Sequence, residues 1–462
     1  MTDDGNVMLR RMKSTAAVVL CAGVLLTASV LVPAAAVEDN WPQWRGPAGS
    51  GVSAATTYPD EWGPDKNIAW KTPVPGRGLS SPIVWGNRLF LTTSIEGGPA
   101  PVDHKPPIHP DFNNQPGYLH PDSVGSNRLH TLKVLAFDTK TGKQVWEHTA
   151  YEGTMFDDRH KKNTYASPTM VTNGKAVYAF FESAGLFSYD VDGKLLWKKS
   201  LGGIAKAGLG PGTSPVLFED LIILQCDQEM GGGFIVALKQ SDGSEVWRVT
   251  RKNRRSWATP LLVKAPNRTE LVASGAESVI AYDPHTGKQL WTGPGTVGHP
   301  IPSSVAGDGV VIASAGSSER GKRVIAIKPG GDGEIANTPQ ILWQRDKNTA
   351  YVPSPILHGK YVYLMTDKGL VTCLDAHTGE LLYEGGRPPV PATFTASLVA
   401  YGERLLMTSE DGDTFVIKAG PTHEILRTNP IGEPVYASLA LAGGTIYIRG
   451  ESNLYAVRDT KP

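Results

Sequence analysis

Four stretches of the chain carry the cationic and aromatic side chains best suited to holding a ligand. They are residues 157–165, 251–257, 298–300 and 345–351, and each comes shortly before an apolar segment. Arginine and lysine bind carboxylates through charge-assisted hydrogen bonds, and aromatic rings stack on planar or sugar-like groups. The pattern fits either a site for an anionic, planar or sugar-like ligand or a solvated loop surface. The candidate ligand contacts are Lys161, Tyr165, Arg254, Trp257, His299, Arg345 and Tyr351.

Two carboxylates lie together in the segment Gln225–Gly231. Asp227 and Glu229 follow an apolar run, so they are expected at the end of a strand. A carboxylate in such a place can serve as a general base or as a Ca²⁺ ligand. Asp227 is therefore the candidate catalytic base, and an ordinary polar loop is the alternative.

A Pro-rich insertion at residues 97–128 contains three histidines, and a fourth follows at His130. Histidine clusters can bind metal, but this spacing matches no established metal motif, so no metal site is predicted. A lid or a partner-contacting loop is the better interpretation. The chain also contains no G-x-S-x-G, H-E-x-x-H, G-x-x-x-x-G-K-[ST] or C-x-x-C motif.

The elements that must position these residues are given by an internal repeat. The phrase Ala136–Trp146 recurs as Ala281–Trp291 and, with Tyr in place of the final Trp, as Leu374–Tyr383. Its Asp, Thr and Gly residues are typical of a tight turn between two strands. We expect the aromatic residue that ends each phrase to lie on an outer strand and pack on the neighbouring repeat.

Each repeat also begins alike, with a small hydroxyl residue, often followed by Pro, at the start of an apolar strand. The predicted starts are Ser81, Ser167, Ser214, Thr259, Ser303, Ser354, Ser397 and Ser438. In the second repeat, Asn173-Gly174 and Asp192-Gly193 are strong hairpin signals. Each repeat therefore contains four antiparallel strands in roughly 40–50 residues, the size of a β-propeller blade.

The fold prediction is an all-β, eight-bladed β-propeller of four-stranded antiparallel blades. The last repeat holds three strands, and the N-terminal strand around Trp70 supplies its fourth, which closes the ring and removes its edges. Residues 37–65 form an irregular N-terminal segment, and residues 66–462 form the propeller, with the 97–128 insertion in its first blade. The docking residues are Trp70, Trp146, Trp197, Trp247, Trp291, Trp343 and Tyr383.

Composition agrees with many strands and turns: Gly and Pro number 51 and 35 among 462 residues. Equal numbers of basic and acidic residues, 45 each, exclude a global basic field for nucleic acid, and 3 cysteines exclude a disulfide scaffold. Residues 1–36 are interpreted as a secretory signal peptide, with an uncleaved membrane anchor as the alternative. A periplasmic or secreted location follows, with no membrane span after cleavage.

The repeats resemble the tryptophan-docking repeats of quinoprotein-like propellers. That superfamily includes dehydrogenases dependent on pyrroloquinoline quinone (PQQ) and non-enzymatic members such as the BamB assembly propeller. The opening Asn40–Pro47 and the segment Asn163–Pro168 resemble exported bacterial PQQ-like repeat proteins. The vicinal Cys–Cys pair of methanol-dehydrogenase-type enzymes is absent, and their calcium and catalytic carboxylate motifs have no counterpart that we can place.

Two functions follow as expectations. The first is a non-catalytic module, without cofactor, that binds an envelope protein or a carbohydrate; it is expected to be a monomer. The second is a PQQ-dependent alcohol or sugar dehydrogenase with PQQ and Ca²⁺ at the axial funnel. The missing catalytic signatures favour the first, and the cationic loops favour the second.

Overall fold

The computed structural model describes residues 40–459 except 111–115, 119, 230 and 318–320. The expected signal peptide, residues 1–36, lies outside the described residues. In the part of the chain that is described, no helix is both long enough and apolar enough to cross a membrane.

The described strands form a ring of eight antiparallel blades, which confirms the predicted fold. In order from the axis outwards, the first four blades are β2 (Ile83–Trp85), β3 (Arg88–Pro99), β7 (Arg128–Asp138), β8 (Gln144–Thr154); β10 (Val171–Thr172), β11 (Ala176–Phe180), β12 (Leu186–Asp190), β13 (Leu195–Lys199); β14 (Val216–Phe218), β15 (Leu221–Cys226), β16 (Phe234–Lys239), β17 (Glu245–Thr250); and β18 (Leu261–Ala265), β19 (Arg268–Ala273), β20 (Ser278–Tyr282), β21 (Gln289–Pro294).

The remaining four blades are β22 (Val305–Gly307), β23 (Val310–Ser317), β24 (Gly321–Ile327), β26 (Ile341–Arg345); β27 (Ile356–His358), β28 (Tyr361–Met365), β29 (Val371–Asp375), β30 (Leu381–Gly386); β31 (Val399–Tyr401), β32 (Arg404–Thr408), β33 (Asp413–Lys418), β34 (Ile425–Pro430); and β35 (Ala440–Ala442), β36 (Thr445–Arg449), β37 (Asn453–Val457), β1 (Ile68–Pro73). The fourth blade gains a short parallel strand, β25 (Gly333–Glu334), and a 3-10 turn spans Glu182–Ala184.

The ring closes where the sequence predicts it. Strand β1 pairs antiparallel with β37, with Trp70 opposite Ala456 and Thr72 opposite Leu454. The chain ends therefore share the eighth blade, and every blade has two neighbours. The side chains packed between neighbouring blades are mainly apolar and buried. Successive residues of a strand point to opposite faces of the sheet, so each blade contributes side chains to the interfaces on both of its sides.

Docking of the outer-strand tryptophans joins neighbouring blades. Five indole N–H groups donate to a backbone carbonyl of the next blade at 2.9–3.1 Å, and each ring covers a turn there; they belong to Trp70, Trp146, Trp197, Trp247 and Trp343. At the Trp247 contact, Gly287 has φ +72°, and a Cβ there would lie 2.7 Å from the indole. Glycine is therefore required at this turn.

Trp291 departs from this arrangement. Its indole N–H donates 2.8 Å to Glu270 of its own blade, and β25 pairs alongside its strand with Gly333 opposite Trp291. The connection between β24 and β26 is longer than in other blades and folds back over this surface. Tyr383 takes the docking position in its blade and packs against His423 of the next blade, with ring centroids 5.6 Å apart.

The insertion lies between β3 and β7 and pairs with the loop that leads into the second blade, here called its approach loop (residues 157–165). Strands β4 (His109–Pro110) and β5 (Pro116–Tyr118) pair with each other, and β6 (Ser123–Val124) pairs with β9 (Arg159–His160). His109 is buried and bonded through Nε2 to Asp157 at 2.8 Å. The insertion is thus anchored over one side of the ring.

Candidate functional site

A ring of hydroxyl side chains surrounds the axis at the start of the inner strands. The backbone N–H of one member donates to the hydroxyl of the member in the next blade, at 2.8–3.0 Å, in seven successive pairs. Since a hydroxyl that accepts such a bond keeps its own O–H donor, the ring offers several donors to the axis. This hydroxyl ring consists of Ser81, Thr169, Ser214, Thr259, Ser303, Ser354, Ser397 and Ser438.

One predicted start was wrong. Ser167 is not in the hydroxyl ring; its Oγ instead contacts Asn163 and Thr164 in the approach loop. Thr169, two residues later, accepts the bond from Ser81 and takes the repeat position. Two Ser/Thr residues flank Pro168, and only the inter-blade hydrogen bond distinguishes them.

The hydroxyl ring lines an axial pocket of about 680 Å³. All four candidate loops reach its wall, as the sequence suggested. Aromatic rings and histidines contribute much of the remaining lining, namely Trp44, His120, His160, Trp257, His299, Tyr351, Phe394 and Tyr436. The pocket therefore combines stacking surfaces with a circle of hydroxyl donors.

The N-terminal segment covers the end of the axis opposite these loops. Trp41 exchanges backbone hydrogen bonds with Val84 of the first blade, and Ser53 donates to Ala400 of the seventh blade at 2.8 Å. Both partners lie three residues beyond the hydroxyl ring, so the segment crosses on the far side from the loops. Because Trp44 also lines the pocket, the segment forms its floor.

Arg45 is held within this floor. Its guanidinium donates to the carbonyl of Ser50 at 3.0 Å and lies over the ring of Trp44, 5.6 Å from the centroid. Burial lowers the pKa of Arg45 to about 9. The motif that includes Trp41, Trp44 and Arg45 is therefore a structural closure of the pocket.

Three of the predicted ligand contacts line the axial pocket. Trp257, His299 and Tyr351 come from different loops, and the rings of Trp257 and His299 meet edge to face at 6.3 Å. The indole N–H of Trp257 donates to the carbonyl of Gly210 at 2.8 Å, which fixes the ring. A ligand in the pocket would meet these side chains in preset positions.

Arg254 lies beside the axial pocket rather than in it. Together with His299 it lines a smaller cavity of about 240 Å³. Its guanidinium forms an ion pair with Glu229, which also pairs with Arg255 at 2.7 Å. Glu229 is nearly buried and so neutralises two arginines at once.

The other three predicted contacts are engaged elsewhere. Lys161 pairs with Asp122 at 2.8 Å, and Arg345 pairs with Glu384 at 2.9 Å. Tyr165 is 3% exposed and donates its hydroxyl to the carbonyl of Asp157, and burial raises its pKa. None of the three lines the pocket.

Asp227 is fully buried in an ion pair with Arg251, with Nε to Oδ1 at 2.7 Å. Gln225 donates to its other oxygen at 2.7 Å. This is the environment of a structural carboxylate between strands, away from the pocket wall. Its role as a base is a prediction that this geometry does not favour.

Two histidines and one carboxylate that the sequence analysis did not combine come together at the pocket mouth. His120, Asp122 and His160 offer ligand atoms that all lie within 4.8 Å of one another. His120 and Asp122 belong to the insertion and His160 to β9, so the β6–β9 pairing joins them. The H-x-D spacing of His120 and Asp122 could have indicated this cluster from the sequence. The third residue, His160, lies much further along the chain, so the sequence did not link it to the other two.

PQQ and calcium would each require particular partners in the pocket. PQQ carries three carboxylates, whereas the lining cations Lys162 and Arg255 are paired with Glu410 at 2.9 Å and with Glu229 at 2.7 Å. Calcium prefers six to eight oxygen ligands. The lining supplies two carboxylates, Asp367 and Glu410, and Glu410 already accepts from Thr393, Thr395 and Lys162. The described residues are thus a poor match to this cofactor.

An eight-bladed, tryptophan-docked propeller with a pocket closed at one end defines the class of protein. Residues 61–208, 134–383 and 231–461 match the family described as outer membrane protein assembly factor BamB. The chain belongs to this family. No curated protein matches the chain.

Solved structures share the fold at low sequence identity. BamB from Moraxella catarrhalis is 14% identical with a TM-score of 0.53, covering 79% of this chain and 99% of its own. A europium-containing methanol dehydrogenase is 11% identical with a TM-score of 0.58, covering 90% of both chains. The quinohemoprotein alcohol dehydrogenase from Comamonas testosteroni is 12% identical with a TM-score of 0.59, covering 93% of this chain and 82% of its own.

Proposed function

We propose that this protein is a non-catalytic, extracytoplasmic binding module whose axial pocket holds part of an envelope protein or carbohydrate. The observation that carries the proposal is the composition of the pocket wall, which joins the hydroxyl ring to fixed aromatic rings. Such a wall suits polar, uncharged groups that stack and accept hydrogen bonds. The BamB family match supports a module of this kind.

The charge pattern favours the same proposal. Lys162 and Arg255 are each paired with a carboxylate at the pocket wall, and the candidate base Asp227 is buried in its own ion pair. A polyanionic ligand would have to break these pairs and leave their carboxylates unpaired. A neutral sugar or an extended peptide would leave them intact.

Capture from envelope extract tests this function. The immobilised protein is compared with a Tyr351→Ala/Tyr436→Ala variant, which removes two aromatic surfaces from the pocket wall. Tyr361→Ala removes a half-buried tyrosine of the sixth blade outside the pocket and serves as the matched control. We expect a partner that the wild type and Tyr361→Ala retain and the pocket variant loses.

The competing function, a PQQ-dependent alcohol or sugar dehydrogenase, is tested on the same preparation. PQQ and Ca²⁺ are titrated into the protein, followed by dye reduction over a panel of alcohols and sugars. Saturable PQQ binding with substrate-dependent dye reduction would contradict the proposed function. Absence of both would remove the competing function.

A further inference from the structure

The cluster of His120, Asp122 and His160, here called the triad, has the composition of a metal site. Imidazole with a carboxylate suits first-row transition metals, and two histidines with one carboxylate form a known three-ligand set. Calcium or magnesium would require mainly oxygen ligands. The triad therefore points to a transition-metal dication.

The distances within the triad agree with coordination. Nε2 of His160 lies 3.3 Å from Oδ2 of Asp122. Two bonds of about 2.1 Å at a tetrahedral angle would place their ligand atoms about 3.4 Å apart. The His120 and His160 rings are 5.8 Å apart between centroids, which leaves space for an ion between their edges.

Neighbouring groups hold the three side chains in place in the metal-free protein. The backbone N–H of Asp122 donates to Nδ1 of His120 at 3.1 Å, and that of Lys162 donates to Nδ1 of His160 at 3.2 Å. Lys161 holds the second oxygen of Asp122 at 2.8 Å. Binding at the Nε2 atoms would move each ring proton to Nδ1 and lose these two bonds, so we expect moderate affinity.

The triad opens toward the axial pocket. His120 and His160 both line it, and all three residues are half-buried rather than sealed. Three protein ligands leave at least one coordination position for water or a ligand atom. A bound ion would therefore present that position at the pocket mouth.

We propose that His120, Asp122 and His160 bind one divalent first-row transition-metal ion at the mouth of the axial pocket. This site is additional to the proposed binding function and does not depend on it. The ion would add a Lewis-acidic contact for an oxygen or nitrogen donor entering the pocket. It would also tie the insertion to the second blade's approach loop.

Zinc titration by calorimetry on the tag-free, chelator-treated protein tests the site, with Co²⁺ absorption as a second readout of ligand geometry. We expect one saturable equivalent. His160→Ala and Asp122→Asn should each weaken Zn²⁺ binding by about tenfold or more, a loss that even outer-shell partners of metal ligands produce. His377→Ala is the matched control, because His377 contacts the single carboxylate of Asp308 on an exposed surface.

Each variant is checked by near-UV circular dichroism and thermal unfolding. If His160→Ala does not fold, Asp122→Asn decides the result. Absence of saturable binding by the wild type would overturn the proposal. So would unchanged Zn²⁺ affinity in a folded His160→Ala or Asp122→Asn protein.

Discussion

At the scale of single residues, the cationic loops show what side-chain type alone could not reveal. Lys161, Arg254 and Arg345 were expected to meet a ligand, yet each is paired with a carboxylate of this chain. The partner of Arg345, Glu384, lies in the next blade. Of the predicted aromatic contacts, Trp257 and Tyr351 line the axial pocket, whereas Tyr165 is buried away from it.

Lys161 competes with a metal ion for Asp122. The metal ion and the ammonium of Lys161 are both positively charged, and they would contact the two different oxygens of the Asp122 carboxylate. Because Lys161 is exposed, solvent and salt screen their repulsion and limit its effect to about fivefold in affinity. Lys161→Met should therefore strengthen Zn²⁺ binding about fivefold by calorimetry. Lys66→Met, which removes a similar surface pair with Glu61, should have no effect.

A loss of Zn²⁺ affinity in Lys161→Met would contradict this expectation. It would mean that the ammonium holds the carboxylate in position more than it repels the ion.

Asp138 supports the turn before the outer strand of the first blade. Its carboxylate accepts from the hydroxyl and the backbone N–H of Thr141 at 2.7 and 2.8 Å, and the hydroxyl bond is the main cause that lowers the pKa of Asp138. Asp138→Ala should reduce the free energy of unfolding by about 1 kcal/mol at pH 7, allowing for partial solvent exposure.

The pH dependence of that loss has a defined sign. A carboxyl whose pKa is lower in the folded state stabilises the fold above its unfolded pKa, and the stabilisation is lost as pH falls through the folded pKa. Denaturant unfolding should therefore give a smaller difference between Asp138→Ala and wild type at pH 3 than at pH 7. A difference that is constant with pH would contradict the role assigned to the charge.

At the scale of the elements, the blades were predictable because their signals are local. The phrase from Ala136 to Trp146 contains both a turn and the docking residue that follows it, so each copy predicts one hairpin. Trp291 packs against the fifth blade as predicted, but its indole N–H bonds Glu270 of its own blade, a contact that the repeated phrase does not encode. The hydroxyl ring was visible as repeated Ser and Thr, but its function in joining blades depends on hydrogen bonds between repeats.

The docking contact can be separated from the conformation of its turn. Gly287 and Gly309 both have φ +72°, but a Cβ on Gly287 would meet the indole of Trp247, whereas one on Gly309 would meet nothing within 4 Å. Gly309→Ala should cost about 1–2 kcal/mol from backbone strain alone. Gly287→Ala should cost about 1–3 kcal/mol more because the indole must move.

Urea unfolding of both variants measures the difference. Equal losses of stability would show that the indole contact adds nothing beyond the strain of the turn.

At the scale of the whole molecule, closure depends on both chain ends. The sequence predicted this closure because the last repeat has three strands instead of four, and the first strand, around Trp70, precedes the first complete repeat. It did not predict that residues 41–53 cross the axis, since Trp41 and Val52 pair with inner strands of the first and seventh blades without any periodic pattern. The floor of the pocket is thus an outcome of tertiary contacts alone.

Truncation tests the closure. A chain ending at Ser452 lacks β37 and leaves β1 without its partner, so we expect a lower melting temperature and a broader transition by circular dichroism. A chain ending at Arg458 keeps the whole of β37 and should melt like the full chain. Identical melting of the two truncated chains would contradict the dependence of the ring on this pairing.

The same closure has a consequence for the order in which the protein can be made. A ribosome delivers Trp41, Ser53 and Trp70 first, but the backbone partners of Ser53 and of β1 lie in the seventh and eighth blades. Until the last two blades have been made, these groups therefore lack their final partners, and the floor of the pocket is incomplete. A chain interrupted before its last blade would leave the ring open, with β1 lacking the strand that it pairs with in the complete fold.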